Sequence, residues 1–489
     1  MQQSRSRMNW VLAVVTAALL LVALPAAAQK LPEDAVTLPD LEGGQWGVSI
    51  MSMDGEDIFS ASADQRFAPA STLKLVTTIT AMTELGDFET GSWPRGTEMA
   101  IVDSPLSDMP TLILRGSGDP SLSASSNCKT NCLQQIADAV VERGITDIDT
   151  LDIDDSLFLP PNWPTGWTHE DFRFGFATAI SALSVDGGVA RARLTPGNRR
   201  GRPPEVTWDW APVFNINTAE AETVSTRQFS LDLVRRPGAR EAFLVGKLPL
   251  ASPPVHLKFG LDDPSLYAGE VLKAMLEQRG VTVHGTVVRS DISYETEAVP
   301  EAETNGIQPD FALPAPAATD LLEEILHESN NFYTEVLLHH ISLTEGDRSQ
   351  AAGIDLMEGV MKAAGAADRD YNFADGSGLS VYDRITPAAM TKLLVWASRQ
   401  PWFETWSDQL SRGGEDGTLQ YRFQRLGRAD RLRAKTGSLT GVGALAGYFE
   451  TSDGTPYAFA IFANDTSLSS SRTRARLDEL LEDIIAELE

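Results

Sequence analysis

The chain has 489 residues, 42% of them hydrophobic and 22% charged, and a formal net charge of -28. That length exceeds one ordinary hydrophobic core, so two or more lobes are expected. The composition is that of a globular protein, and the strongly acidic balance disfavours nucleic acid as a partner.

The first ten residues carry Arg5 and Arg7 and no acid, and the apolar run VLAVVTAALLLVAL follows. Ala26 and Ala28 then stand at A-x-A spacing. This reads as a secretory signal over residues 1–28, cut after Ala28, which places the mature protein in the periplasm. The weaker alternative is a retained anchor, with peripheral membrane association of the mature chain; the apolar run is shorter than the ~20 residues a span needs.

The stretch WGVSIMSMDGEDIFSASADQRFAP predicts a hairpin turning at Asp54-Gly55. Pro69 then precedes a helix that begins near Ser71, reads STLKLVTTITAMTEL and stops near Gly86. From 89 to 258 short strands such as TLILRG and LDIDDSLF alternate with turns around one helix, LQQIADAVVERG. This is expected to be a β-rich insert of two subdomains, with HEDFRFGFATAISALSVDGG as its core. Cys128 and Cys132 are the only cysteines. In an exported protein they read as a local disulfide that stabilises little, not as catalytic groups or zinc ligands.

Helical periodicity resumes at SLYAGEVLKAMLEQRG, so the first domain is expected to return at 259. After the loop PDFALPAPAATD, the stretch DLLEEILHESNNFYTEVLLHHIS carries two helices broken at SNN. Two further helices lead to three strand-like runs, RLRAKTGSL, GALAGYFE and YAFAIFAND, and a closing helix RARLDELLEDIIAELE. The short connections imply an antiparallel meander. Hairpin and meander are expected to share one sheet, in a catalytic domain made of 29–88 and 259–489.

Three short motifs could carry chemistry. Ser71 and Lys74 stand at i, i+3 and share a helix face. A serine hydroxyl attacks only when something takes its proton, and a lysine can do so only when desolvation or a nearby cation holds it neutral. Ser329 and Asn331 flank Asn330 in a helix break, where alternate residues can point into one cleft. Lys435, Thr436, Gly437 and Ser438 open a strand, where the glycine leaves room for close approach and the lysine and hydroxyls suit a carboxylate. Alone, each has a plain structural explanation: a serine cap, a helix break, an edge-strand lysine.

In the order S-x-x-K, S-x-N, K-T-G they form the set of β-lactamases and penicillin-binding proteins. The chain most resembles the D-alanyl-D-alanine carboxypeptidase/endopeptidase family, peptidase family S13, whose members are class C low-molecular-mass penicillin-binding proteins. FAPASTLKLVTT, RGSGDPSL, DGSGLS and KTGSLTGVGALAGY carry the resemblance, together with the long gap between Ser71 and Ser329. It implies an α+β fold, with a central antiparallel sheet flanked by helices and a large insert after the nucleophile helix. It implies a serine-type hydrolase acting on peptidoglycan stem peptides, acylated by β-lactams, with no metal or organic cofactor. In that reading Ser71 attacks, Lys74 is the base and Ser329 relays a proton to the leaving amine. Asn331 positions Lys74 and the substrate amide. The Lys435 charge, with the Thr436 and Ser438 hydroxyls, binds the terminal carboxylate, and Lys435 helps hold Lys74 neutral. Backbone N–H groups of Ser71 and Ser438 form the oxyanion hole.

Two departures stand out. The family usually has Ser-Asp-Asn where this chain has Ser-Asn-Asn, and the arginine that often follows DGSGLS is delayed to Arg384 behind Val381. The alternatives are a β-lactamase, an esterase-like relative and a non-catalytic wall-binding protein. The long insert and the lack of a deacylating glutamate motif weigh against the first. An intact serine-lysine pair weighs against the last. The six histidines show no ligand spacing, and His327, near Ser329, reads as a helix-end residue.

Overall fold

The computed structural model describes residues 30–489 except 33, 87–94, 105–106, 211, 237, 290–306, 425 and 427–428. The expected signal therefore lies outside the described residues. Strands β1 (Gln45–Ser52) and β2 (Asp57–Ala61) form the N-terminal hairpin, with Gly55 at a φ of +94° in its turn. A 3₁₀ turn (Ala70–Leu73) leads into helix α1 (Lys74–Glu84), so Ser71 sits in the tight turn and Lys74 opens the α-helix proper. After the insert come α2 (Ala318–Leu326), α3 (Asn331–Leu343), α4 (Gln350–Ala363) and α5 (Pro387–Ala397). The chain closes with β3 (Ser411–Arg412), β4 (Leu432–Leu439), β5 (Val442–Glu450), β6 (Pro456–Asn464) and α6 (Ser470–Leu488).

These strands form one six-stranded sheet in the order β3-β4-β5-β6-β1-β2, antiparallel throughout. The join of the chain ends is the β1–β6 ladder, from Gln45 opposite Asn464 to Ser52 opposite Tyr457. Both faces of the sheet are covered, which is why YAFAIFA reads as an unbroken apolar run. Side chains alternate between faces. Ala458, Ala460 and Phe462 face a core shared with α1 to α5, while Phe459, Ile461 and Ala463 face a second core closed by Leu477, Leu480, Leu481 and Ile484 of α6.

The insert has its own cores. A five-stranded sheet takes Glu98–Asp103, Pro110–Arg115 and Thr150–Asp154, plus Val287–Arg289 and Phe311–Ala312 from far downstream. Helices Leu133–Glu142 and Pro264–Gln278 pack on it. The expected return to the catalytic domain at 259 is therefore corrected: Val271, Leu272, Met275 and Leu276 are buried in the insert's core. Gly269 lets that helix close on the sheet, since an added Cβ would stand 2.7 Å from Ile153 Cδ1. Two three-stranded sheets enclose a further core around Phe214, Leu244 and Phe259. Cys128 and Cys132 are disulfide-bonded.

The aromatic stretch expected to be the insert's core instead lies mainly along a seam. Ala177, Ile180 and Ala182 pack with Phe158 and Trp167 against Phe332 and Val336 of α3 and against Leu379. Phe174 and Phe176 remain exposed. On the same seam Phe158 stacks on His339 at 4.6 Å, and His340 Nε2 lies 2.9 Å from Gly118 O. Gly118 belongs to the RGSGDPSL turn and has a φ of +73°; an added Cβ would collide with His340.

Burial pushes His339 down to about 4 and His340 to about 3 from 6.5. The unfolded chain thus binds more protons over this range. The contribution of the two histidines is complete above about pH 6.5 and should fall by up to about 1.4 kcal/mol per pH unit per histidine on acidification toward pH 4. Calorimetric melting from pH 7 to 4.5 should show this slope, reduced in His340→Asn; an equal slope in the variant would contradict it.

Candidate active site

Helix α1 presents Lys74 inward, and its side chain is wholly buried. Its Nζ lies 2.6 Å from Asn331 Oδ1, 2.7 Å from Ser377 O and 3.1 Å from Ser71 Oγ. The first two partners are carbonyl oxygens and can only accept; Asn331 is oriented by Nδ2 donating to Phe176 O at 3.0 Å. A neutral amine has two N–H groups for these two carbonyls. Its lone pair then remains for the Ser71 hydroxyl, which donates. Protonated, the same amine donates to all three, so the 3.1 Å contact is the one that reverses when the proton moves.

Burial pushes the Lys74 ammonium down to about 8, and the carboxylates of Asp375, Glu335 and Asp383 keep it from falling further. Sequence reasoning missed these three groups. Glu335 lies one turn beyond Asn331 on the same face of α3, and an acid inside the apolar run FYTEVLL was the available signal. Its oxygens accept from Gly376 N at 3.1 Å, Ser377 N at 2.8 Å and Gln350 Nε2 at 3.0 Å. Burial and the Asp375 charge push it up to about 8, against those backbone donors. Asp375 accepts from Gly378 N and Ser380 N, each at 2.7 Å, and from Trp167 Nε1 of the insert at 2.8 Å. Burial and Asp375 push Asp383 well above the carboxylate range.

The DGSGLS segment thus forms the wall behind the lysine, and Ser377 gives it a carbonyl. Gly378 lets this wall close on the nucleophile turn: its φ is +80°, and an added Cβ would stand 1.9 Å from Ala70 O. Ala70 itself has a φ of +47°, left-handed backbone that costs a non-glycine residue of order 1 kcal/mol. Ser329 is held the same way, at a φ of +60° between α2 and α3. His327 is the C-cap residue of α2. The middle residue of the triplet turns away: Asn330 caps α3, accepting from Tyr333 N at 3.2 Å and donating to Glu324 at 3.0 Å.

Strand β4 forms the opposite wall. Gly437 presses on the nucleophile turn, where an added Cβ would stand 2.7 Å from Pro69 O and 3.0 Å from Ser71 N. Ser71, Ser329, Thr436, Gly437 and Ser438 line one cavity of about 350 Å³. A second cavity of about 580 Å³ opens on the other side of Ser329, between Asn331, Tyr333 and the insert residues Phe174, Phe176 and Asp186.

One expectation needs correction. Lys435 is fully buried, does not line the first cavity, and donates to Thr436 O at 3.2 Å. Burial, then the charge of Lys74, pushes it well below the lysine range. The repulsion thus falls on Lys435, while Lys74 is lowered chiefly by its own burial. The delayed Arg384 is tied to its own loop: its guanidinium donates to Val381 O and Asp383 O at 3.0 and 2.7 Å, while Val381 and Tyr382 are exposed.

A sequence profile of the D-Ala-D-Ala carboxypeptidase 3 (S13) family matches residues 27–484. The chain belongs to this family. It is 30% identical over 446 residues to a D-alanyl-D-alanine carboxypeptidase of Actinomadura sp. (strain R39), covering 88% of this chain and 79% of that protein. It is 25% identical over 434 residues to the D-alanyl-D-alanine carboxypeptidase DacB of Haemophilus influenzae, covering 86% and 85%. Its fold matches the crystal structure of penicillin binding protein 4 (dacB) from Haemophilus influenzae with a TM-score of 0.74 at 22% identity, over 92% of this chain and 97% of that one. The S13 fold is thus the α+β penicillin-binding architecture that the motifs implied.

Acylation of this S13 enzyme should rise with pH as Lys74 loses its proton, nearly tenfold per unit below about 8 and flat above it. Stopped-flow acylation across pH 6 to 10 reads this limb; a rate independent of pH over that range would contradict the role of the Lys74 amine.

Proposed function

We propose that the chain is a serine-type D-Ala-D-Ala carboxypeptidase and endopeptidase that cleaves peptidoglycan stem peptides through an acyl-Ser71 intermediate. The observation that carries this reading is the Lys74 amine, desolvated and bound to two carbonyl oxygens, with Ser71 Oγ at the third position. Lys74 takes the hydroxyl proton as Ser71 attacks the carbonyl of the penultimate D-alanine. The developing oxyanion meets the N–H groups of Ser71 and Ser438; each such donor contributes roughly 3–4 kcal/mol in other serine hydrolases. Ser329 passes a proton to the departing amine, and Asn331 holds both Lys74 and the substrate amide. Thr436 and Ser438 offer hydroxyls to the terminal carboxylate. Water then frees the serine by the reverse sequence. A β-lactam enters the same path and remains as the acyl group.

We infer further that the chain is exported to the periplasm after removal of residues 1–28. The leader's charge and apolar pattern support this, as does the Cys128–Cys132 disulfide, a bond suited to an oxidising compartment.

A fluorescent penicillin should label the wild type covalently and leave Ser71→Ala unlabelled. The wild type should also release D-alanine from a pentapeptide and open cross-linked muropeptides. An unlabelled wild type, or equal labelling of the variant, would overturn the mechanism; turnover of β-lactams alone would make the protein a β-lactamase.

A further inference from the structure

A peptide ending in D-Ala-D-Ala presents a carboxylate on the leaving-group side of the scissile bond, as does a penicillin. The burial of Lys435 leaves that carboxylate in need of another cation. Two arginines line the cavity that holds Ser71, Thr436 and Ser438. Arg422 is committed elsewhere: its guanidinium forks onto Asp478, with Nε 3.0 Å from Oδ1 and a closer contact through Nη2. Arg474 is exposed on the early turns of α6, and among the described residues it forms no ion pair.

The place of Arg474 is set by packing. Its neighbour Thr473 and the residue one turn on, Leu477, press on Gly443, where an added Cβ would stand 2.6 Å from Thr473 Cγ2 and 3.0 Å from Leu477 Cδ1. Gly443 is the cross-strand partner of Ser438. Such partners lie roughly 5 Å apart. One glycine contact thus brings the start of α6 to within about a strand spacing of the Ser438 hydroxyl.

We propose that Arg474 is the cation that recognises the substrate's terminal carboxylate, beside the hydroxyls of Thr436 and Ser438. Its ligand class is a D-residue or β-lactam with a free acid on the leaving-group side. The inference rests on the acyl-serine reading above. In a chain of net charge -28 an unpaired guanidinium at the cavity also offers the local positive potential that an anionic substrate needs on approach.

The test compares benzylpenicillin, which has a free carboxylate, with its neutral methyl ester. Second-order acylation rates are measured at low and high salt for wild type, Arg474→Gln and Arg474→Lys. Arg474→Gln should slow benzylpenicillin about tenfold and flatten its salt dependence, leaving the methyl ester within about twofold. Arg474→Lys should recover part of the loss. The unchanged ester rate also certifies that the variant is folded. Equal effects on both compounds, or none on benzylpenicillin, overturn the role of Arg474 while wild-type labelling through Ser71 keeps the acyl-serine reading. A wild type that is not labelled removes both.

Discussion

The site depends on one amine placed where water cannot follow. In the proposed mechanism Lys74 must lose its proton near neutral pH to serve Ser71, and desolvation is the force that makes it do so. Desolvation alone would go further, and the Asp375 carboxylate behind the amine is the largest charge that opposes it. The structure balances the two: one buried amine faces a cluster of carboxyl groups, and burial pushes two of them, Glu335 and Asp383, upward. The amine is thereby held at about 8, close to where it can accept and return a proton at comparable cost. The helix α1, the first turns of α3 and the DGSGLS wall all converge on that amine.

The insert is part of this arrangement. Both carbonyl partners of Lys74 are supported from it. Asn331 is oriented by the Phe176 carbonyl, and Asp375, which organises the loop carrying Ser377, is bonded to Trp167. Gly166 beside Trp167 accommodates the Ser380 side chain, whose hydroxyl donates to Thr165 O at 2.8 Å. The seam that buries His339 and His340 is thus joined to both carbonyl partners of Lys74.

Much of the fold was legible because it is written in short-range chemistry. The unbroken apolar runs of β5 and β6, the Asp54-Gly55 turn and the spacing of Ser71 and Lys74 are local signals. The pairing of β1 with β6 was also inferable, since a hairpin and a meander at opposite ends each need a partner. The rest depends on distant surroundings. Glu335 looks like any acid until Gly376 and Ser377 supply its donors. Lys435 looks like a solvent-facing strand lysine until the walls close over it. Arg474 sits in an ordinary charged helix, and only the glycine contact at Gly443 turns it to the cavity. The insert boundary slipped because helix 264–278 has the same periodicity whichever sheet it covers.

The departure from Ser-Asp-Asn illustrates how such context decides a residue. The middle position has two neighbours to satisfy: the Tyr333 N–H at the start of α3, and the Glu324 carboxylate on α2. Asparagine and aspartate cap a helix about equally well. Only asparagine also has an amide N–H to give to Glu324; an aspartate would set two carboxylates against each other at hydrogen-bonding distance. The change therefore preserves the cap that starts α3 and adds a tie between the helices on either side of Ser329. It leaves Ser329 lining the cavity that holds Ser71, and Asn331 within hydrogen-bonding distance of the Lys74 amine.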